Sequence, residues 1–226
     1  MRAMRRFSQA LALFAALGAL AAAGQAAAQA AAPTPAPAQV PAYTPLPDDE
    51  SMGNPRARVT VVEYASASCP HCARFNNNVF PAFKAKYVDT HKVRYVLREF
   101  LTDPVQVAAA GFLLARCAGP GKYFATLDDF FHGQEEMYRS GNALPLINSV
   151  GAKAGLTPDQ IQACLSNEAT QTALNARIRQ NQTQDDVTST PTFVVNGQKL
   201  PELGHEVGLA DLDAAIAPLL AKPGRR

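Results

Sequence analysis

Cysteine is scarce in this sequence: four residues in 226, and a single pair, Cys69 and Cys72, with Cys-x-x-Cys spacing. A structural zinc site takes four ligands in paired spacing, so the lack of a second such pair argues against one. A chain this long can bury its own core without a disulfide scaffold, and its cysteines therefore need another explanation. No phosphate-binding loop or flavin fingerprint is present, so nothing in the sequence calls for a bound nucleotide cofactor. Acidic residues are missing from the first 30 positions, where Arg2, Arg5 and Arg6 lie. Without those three arginines the formal charge of +2 becomes −1, with 18 basic against 19 acidic residues. A near-neutral remainder lacks the electrostatic footprint of a nucleic-acid binder. No internal repeat is evident.

What is present begins with a basic tip, M-R-A-M-R-R, followed by an apolar stretch and then small residues. About 15 apolar residues fall short of the roughly 20 that a membrane span requires. The pattern fits a secretory signal peptide over residues 1–30, with Ala28-Gln29-Ala30 as a cleavage site and Gly24-Gln25-Ala26 as a rival. An uncleaved anchor is the alternative. Residues 31–50 are rich in proline and alanine and predict an extended linker, because proline fixes φ and removes backbone donors. A signal peptide would place the mature chain outside the cytoplasm, where disulfides persist.

Arg58 to Tyr64 is rich in β-branched residues and predicts a strand. The motif Cys69-Pro70-His71-Cys72 follows. Phe75, Val79, Phe83 and Tyr87 then recur at a spacing of four, a helical stripe that Pro81 should kink. Val93 to Phe100 predicts a second strand. From Asp103 to about Asp186 the character is helical. Asp103-Pro104 predicts an N-cap with proline at the first helical position, Tyr123 to His132 a short aromatic helix, and Thr157 to Gln160 a capping box. Glu168 to Gln182 predicts a further helix. Thr190 to Leu200 then predicts a hairpin turning at Asn196-Gly197, and Gly208 to Ala221 a closing amphipathic helix.

The cysteines thus lie at a strand-to-helix turn. A helix start presents backbone N–H groups without helical partners, and these favour an anion. A thiolate on Cys69 should be stabilised there, within a range for such sites of about 8.5 down to about 3.5. Each unit is worth about 1.4 kcal/mol. Cys72 lies one turn deeper and can attack a mixed disulfide on Cys69. Pro70 pre-sets the first turn, and His71 can add a hydrogen bond or a positive charge. Stabilising the reduced form makes the disulfide more oxidising. A metal set of Cys69, His71 and Cys72, or a static bridge, are the competing readings. Glu63, six residues before Cys69, is either an outward-facing strand carboxylate or a partly buried acid able to take the proton of Cys72. Lys92, Arg94 and Arg98 are its candidate partners.

Glu63-Tyr64-Ala65-Ser66-Ala67-Ser68-Cys69-Pro70-His71-Cys72, Thr190-Pro191-Thr192 and the intervening helical block resemble the thioredoxin superfamily, and within it the DsbA-like thiol–disulfide oxidoreductases. The resemblance spans residues 55–222. It implies an α/β thioredoxin fold, βαβ then ββα, with an all-helical domain inserted between its halves. The corresponding domains are 51–102 with 187–222, split by the helical 103–186. It implies catalysis by Cys69 and Cys72, tuning by Pro70, His71 and Glu63, and substrate binding at Thr190 beside a cis Pro191. It implies a periplasmic oxidase of newly exported, cysteine-containing proteins, acting as a monomer without cofactor or metal. It further implies reoxidation by a DsbB-like quinone-linked membrane partner. An isomerase or reductase of the same fold is the alternative, ahead of a metal-delivery protein or a surface protein. Cys117 and Cys164 depart from the simplest DsbA pattern. They are expected to form a structural bridge, worth roughly 4 kcal/mol for a loop of about 48 residues, or else to tune the first pair.

Overall fold

Val59, Val61, Val62 and Tyr64 belong to a run of seven residues that is buried throughout, and such a run forms a strand only where both of its faces are covered. In the structure, a computed structural model that describes residues 43, 45–119 and 121–221, this run is β2 (Val59–Ala65) at the centre of a mixed sheet. The other strands are β1 (Glu50–Gly53), β3 (Val93–Glu99), β4 (Thr192–Val195) and β5 (Gln198–Lys199), ordered β1-β3-β2-β4-β5. The β2–β3 pair is parallel and the other pairs are antiparallel. The predicted signal peptide and the linker up to residue 42 lie outside the described residues.

The pleat divides the strands by parity. Val61, Ala65, Tyr95, Leu97, Phe193 and Val195 face the main core. Val62, Tyr64, Val96 and Val194 face a smaller cluster with Phe100 and Val187. The parallel connection between β2 and β3 runs through α1 (Pro70–Asn78), α2 (Phe80–Phe83) and a π-helical turn (Lys84–Val88). The break at Val79 falls just before Pro81, which sits in the first turn of α2, as its missing N–H requires. Phe75, Phe83 and Tyr87 of the predicted stripe are buried.

Between β3 and β4 lie α3 (Val105–Cys117), α4 (Tyr123–Ser140), α5 (Leu144–Lys153), α6 (Pro158–Ser166) and α7 (Glu168–Gln184). The fold is therefore the thioredoxin arrangement, βαβ and ββα, with a helical insertion between its halves. The hairpin turns at Asn196-Gly197, both with positive φ, and α8 (Leu209–Ala221) closes the chain. Cys117 and Cys164 are disulfide-bonded, which ties the end of α3 to α6.

Several local expectations change. Asp103 does not cap α3: the Asp103–Pro104 peptide is cis and Pro104 itself is the N-cap residue, without a side-chain cap. The helix from Tyr123 does not stop at His132 but runs to Ser140. Gly133, which weakens a helix in isolation, is used there for close packing, since a Cβ at this position would lie 2.2 Å from Leu146 Cδ1. The helical block contains one further helix, α5, between those expected. The linker also ends earlier than residue 50. Glu50 begins β1, Asp49 pairs with the buried Arg98 through Nε at 2.9 Å, and the Tyr43 hydroxyl donates to Asp49.

Candidate active site

The chain leaves β2 at Ala65 and must turn before α1, and this turn is held from three sides. Cys69 N–H donates to Ser66 O at 3.0 Å. Ser68 Oγ donates to Thr102 O at 2.9 Å, and Thr102 N–H donates to Ser66 Oγ at 3.1 Å. From the insertion, Gln134 Nε2 donates to Ala67 O at 2.5 Å and the Tyr138 hydroxyl donates to Ser68 O. Gly111 of α3 approaches so closely that a Cβ there would lie 2.6 Å from Ala67 Cβ. Two successive carbonyls before the first cysteine are thus gripped by one helix.

Cys69 is the N-cap residue of α1, in extended conformation with φ −77° and ψ 120°, and Pro70 opens the helix. Both cysteines are thiols here. Cys69 retains 5% exposure and Cys72 none, so Cys69 is the member that another chain can reach. The Cys69 thiol is pushed down to about 5. The first cause is the Cys72 thiol, which donates to its sulfur. Burial opposes this, and the Thr190 hydroxyl and the backbone N–H groups of Cys72 and His71 reinforce it. In this thiol form the Thr190 hydroxyl is buried and has no hydrogen-bond partner among the described residues. When protonated, Cys69 Sγ donates to Thr190 O at 3.4 Å. Cys72 moves the opposite way: burial first, then the neighbouring Cys69 and Glu63, hold its thiol well above the ordinary value.

Glu63 lies in the core beneath this pair, 3% exposed. Burial raises its carboxyl to about 8, and the charge of Cys69 adds to the rise. Its partner is none of Lys92, Arg94 and Arg98. Tyr95 donates to Glu63 Oε2 at 2.6 Å. Parity explains the correction. Arg94 and Arg98 lie on the opposite sheet face from Glu63, where Arg98 Nη1 meets Tyr64 Oη at 2.8 Å and Arg94 reaches Ser51 Oγ at 3.1 Å. Tyr95 has the right parity and a hydroxyl, a signal available from strand alternation.

Thr190–Pro191 is a cis peptide immediately before β4. The structure brings Cys69, Cys72, Glu63 and Thr190 together. His71 stands at the edge, and its side chain turns to Glu206, with Nδ1 2.8 Å from Oε1. Its backbone N–H, rather than its ring, acts on Cys69. Beside the pair opens a groove of about 840 Å³, lined in part by His71, Phe75, Val79, Pro191, Leu200 and Val207. Arg74 and Glu206, both on its wall, had no signal in the sequence, because Glu206 lies in an irregular loop far along the chain. Among the described residues no group of three or more metal-ligating side chains is gathered.

A family model described as Thioredoxin matches residues 46–217. A protein of Rickettsia conorii, provisionally named a protein-disulfide oxidoreductase, is 35% identical over 151 residues, covering 66% of this chain and 54% of its own. The chain thus spans little more than half the length of that relative. Among solved structures, the alpha-DsbA1 of Wolbachia pipientis aligns with a TM-score of 0.68 and 26% identity, over 78% of this chain and 92% of that one. A protein-disulfide isomerase of Novosphingobium aromaticivorans aligns with a TM-score of 0.65 and 24% identity, over 77% and 98%. The last is a likeness of fold.

Proposed function

This chain belongs to the thioredoxin family, and from that premise we propose that it is a DsbA-like thiol–disulfide oxidoreductase that introduces disulfides into exported proteins. The observation that carries the reading is the placement of two thiols one helical turn apart, Cys69 capping α1 within reach of solvent and Cys72 fully buried behind it, a placement that pushes Cys69 down and Cys72 up. Such a pair has one sulfur suited to leaving and one suited to holding its proton.

In the oxidised enzyme a substrate thiolate attacks Cys69 Sγ. A substrate–Cys69 disulfide forms, the Cys69–Cys72 bond breaks, and Cys72 leaves with the electron pair. Its sulfur takes up a proton, and the carboxyl of Glu63, still largely protonated below about pH 8, is the donor within its surroundings. A second substrate thiolate then attacks the substrate sulfur of the mixed disulfide. Cys69 departs as the stabilised thiolate. Two electrons have moved from the substrate to the Cys69–Cys72 pair. In the reverse sense, the Glu63 carboxylate receives the proton of Cys72. Thr190 offers backbone to an extended substrate strand beside Pro191, and the groove receives its side chains. Pro70 shapes the first turn.

The division into 51–102 with 187–222 and an inserted 103–186 is proposed along with this, the insertion serving to grip the active-site turn. The proposed setting is the periplasm, with a monomeric enzyme working on cysteine-containing exported proteins and reoxidised by a DsbB-like quinone-linked partner. No helix among the described residues is long and apolar enough to cross a membrane. The test is trapping. The Cys72→Ser protein, incubated with a one-cysteine peptide and an oxidant, should accumulate a mixed disulfide on Cys69 that no second substrate thiol can resolve. The unmodified oxidised enzyme should release an oxidised two-cysteine peptide. Absence of any Cys69 adduct refutes the proposal. Re-pairing of a mispaired four-cysteine peptide without net oxidation would instead favour the isomerase alternative.

A further inference from the structure

One carboxylate in the active-site surroundings has no place in the exchange reaction. Glu206 lies on the loop between β5 and α8 and reaches across to the start of α1. Its Oε1 accepts from Arg74 Nε at 2.7 Å and lies 2.5 Å from Arg74 Nη2. The same oxygen is 2.8 Å from His71 Nδ1, which is also 2.8 Å from Arg74 Nη2. The imidazole nitrogen serves one of these partners at a time, accepting from the guanidinium when bare and donating to the carboxylate when protonated. The Glu206 carboxyl is held below its usual range, chiefly by the Arg74 hydrogen bond.

The two side chains it engages are the polar residues flanking Cys72 on the first turns of the helix that Cys69 caps. The guanidinium of Arg74 is within electrostatic reach of the Cys69 sulfur. A cation so placed lowers the cost of a thiolate. A carboxylate clamped onto that cation returns the potential toward neutral. The remaining charged and titratable groups around Cys69 are fixed elsewhere. Glu63 on β2 is hydrogen-bonded to Tyr95, and Tyr138 on α4 donates to Ser68 O. Along the groove, Lys199 on β5 donates to Asp186 O at 2.8 Å, and His205 lies 3.2 Å from Asp211. Glu202 lines the groove wall. Glu206 is therefore the acidic group that sits directly on the helix-start cation, Arg74.

Building on the oxidoreductase reading above, we propose that Glu206 is a positioning residue that tempers the oxidising strength of the Cys69–Cys72 pair by binding and neutralising the Arg74 guanidinium at the start of α1. With the carboxylate removed, the Arg74 guanidinium acts on Cys69 without a compensating charge. The disulfide would then be a stronger oxidant and the thiol more acidic. The loop would act as a brake on the motif.

The experiment is a set of thiolate titrations by ultraviolet absorbance in the Cys72→Ser background, comparing Glu206, Glu206→Gln, Glu206→Asp, Arg74→Gln and the Glu206→Gln/Arg74→Gln double variant. Both groups are half exposed, so the expected shift is modest. Glu206→Gln should lower the Cys69 pKa by roughly half a unit, a factor of about three. In chains with Cys72 present, the equilibrium with glutathione should move about threefold toward the reduced protein. Glu206→Asp should fall between Glu206 and Glu206→Gln. Arg74→Gln should raise the pKa, and in its presence Glu206→Gln should lose most of its effect. A Glu206→Gln protein with an unchanged or raised Cys69 pKa overturns the inference, including one whose only change is a lower melting temperature. An unmodified protein with an ordinary thiol pKa would refute the oxidoreductase reading itself, and the two failures are told apart by that control.

Discussion

Lowering the pH from 7 to 4 should remove a stabilisation that the reduced protein has and the oxidised protein lacks. In the reduced fold, Cys69 gives up its proton at about 5, whereas in an unfolded chain a cysteine does so near about 8.5. Between those values the unfolded chain binds a proton that the native state does not, so native stability rises with pH there by about 1.4 kcal/mol per unit. The contribution is complete above the unfolded value and is lost as pH falls through about 5. Two units separate pH 7 from that midpoint, which gives about 2.7 kcal/mol at pH 7. The oxidised protein has no thiol to titrate. Glu63 is displaced in the other direction and opposes folding as pH rises through the carboxylate range toward about 8. It titrates in both redox forms, and the charge of Cys69 is the weakest of its influences, so it largely cancels in the difference. The assay is urea unfolding of both forms at the two pH values. The chain has no tryptophan, so unfolding is followed by far-ultraviolet circular dichroism. The gap in unfolding free energy, reduced minus oxidised, should be larger at pH 7 by about 2.7 kcal/mol. A gap that stays constant within about 1 kcal/mol, less than half of that figure, would refute the reasoning.

Other outcomes follow from the same geometry. Glu63→Gln should slow the reaction of Cys72 with a mixed disulfide by about tenfold or more and abolish the inflection near pH 8 in that rate, as stopped-flow kinetics would report. The paired change Cys117→Ala/Cys164→Ala should cost roughly 4 kcal/mol in denaturant unfolding and leave the Cys69 titration in place, because the bridge ties α3 to α6 rather than touching the motif. Gly111→Ala should destabilise the protein by about 1–3 kcal/mol and disturb the active-site turn, since its methyl would collide with Ala67. Nuclear magnetic resonance shifts at Ala67 and Ser68 would register the disturbance.

The parts of the site that could be read in advance are those where one local stretch determines the geometry. A β-branched run, two cysteines around Pro70, and an apolar stripe put Cys69 at a helix start whatever the rest of the chain does. The order of strands and helices then gives the fold, because a parallel pair needs a crossover and the helical block has to lie outside the sheet. What escaped depends on distant partners. The sequence offers Lys92, Arg94 and Arg98 as candidate partners for Glu63, but pleat parity sends Arg94 and Arg98 to the far face and leaves Tyr95 beside it. Glu206 meets His71 across 135 positions, from a loop whose path has no periodicity to read. The run of α4 through Gly133 and the grip of Gln134 and Tyr138 on the turn depend on packing between helices. Glycine there looks like a helix breaker until its neighbour Leu146 is known.

The most direct test of the account is the reduction potential of the Cys69–Cys72 pair against a glutathione buffer at pH 7. A thiolate held at about 5 stabilises the reduced form, and the account predicts a value above about −200 mV, toward the DsbA end of the scale. A value near the roughly −270 mV of thioredoxin would contradict it.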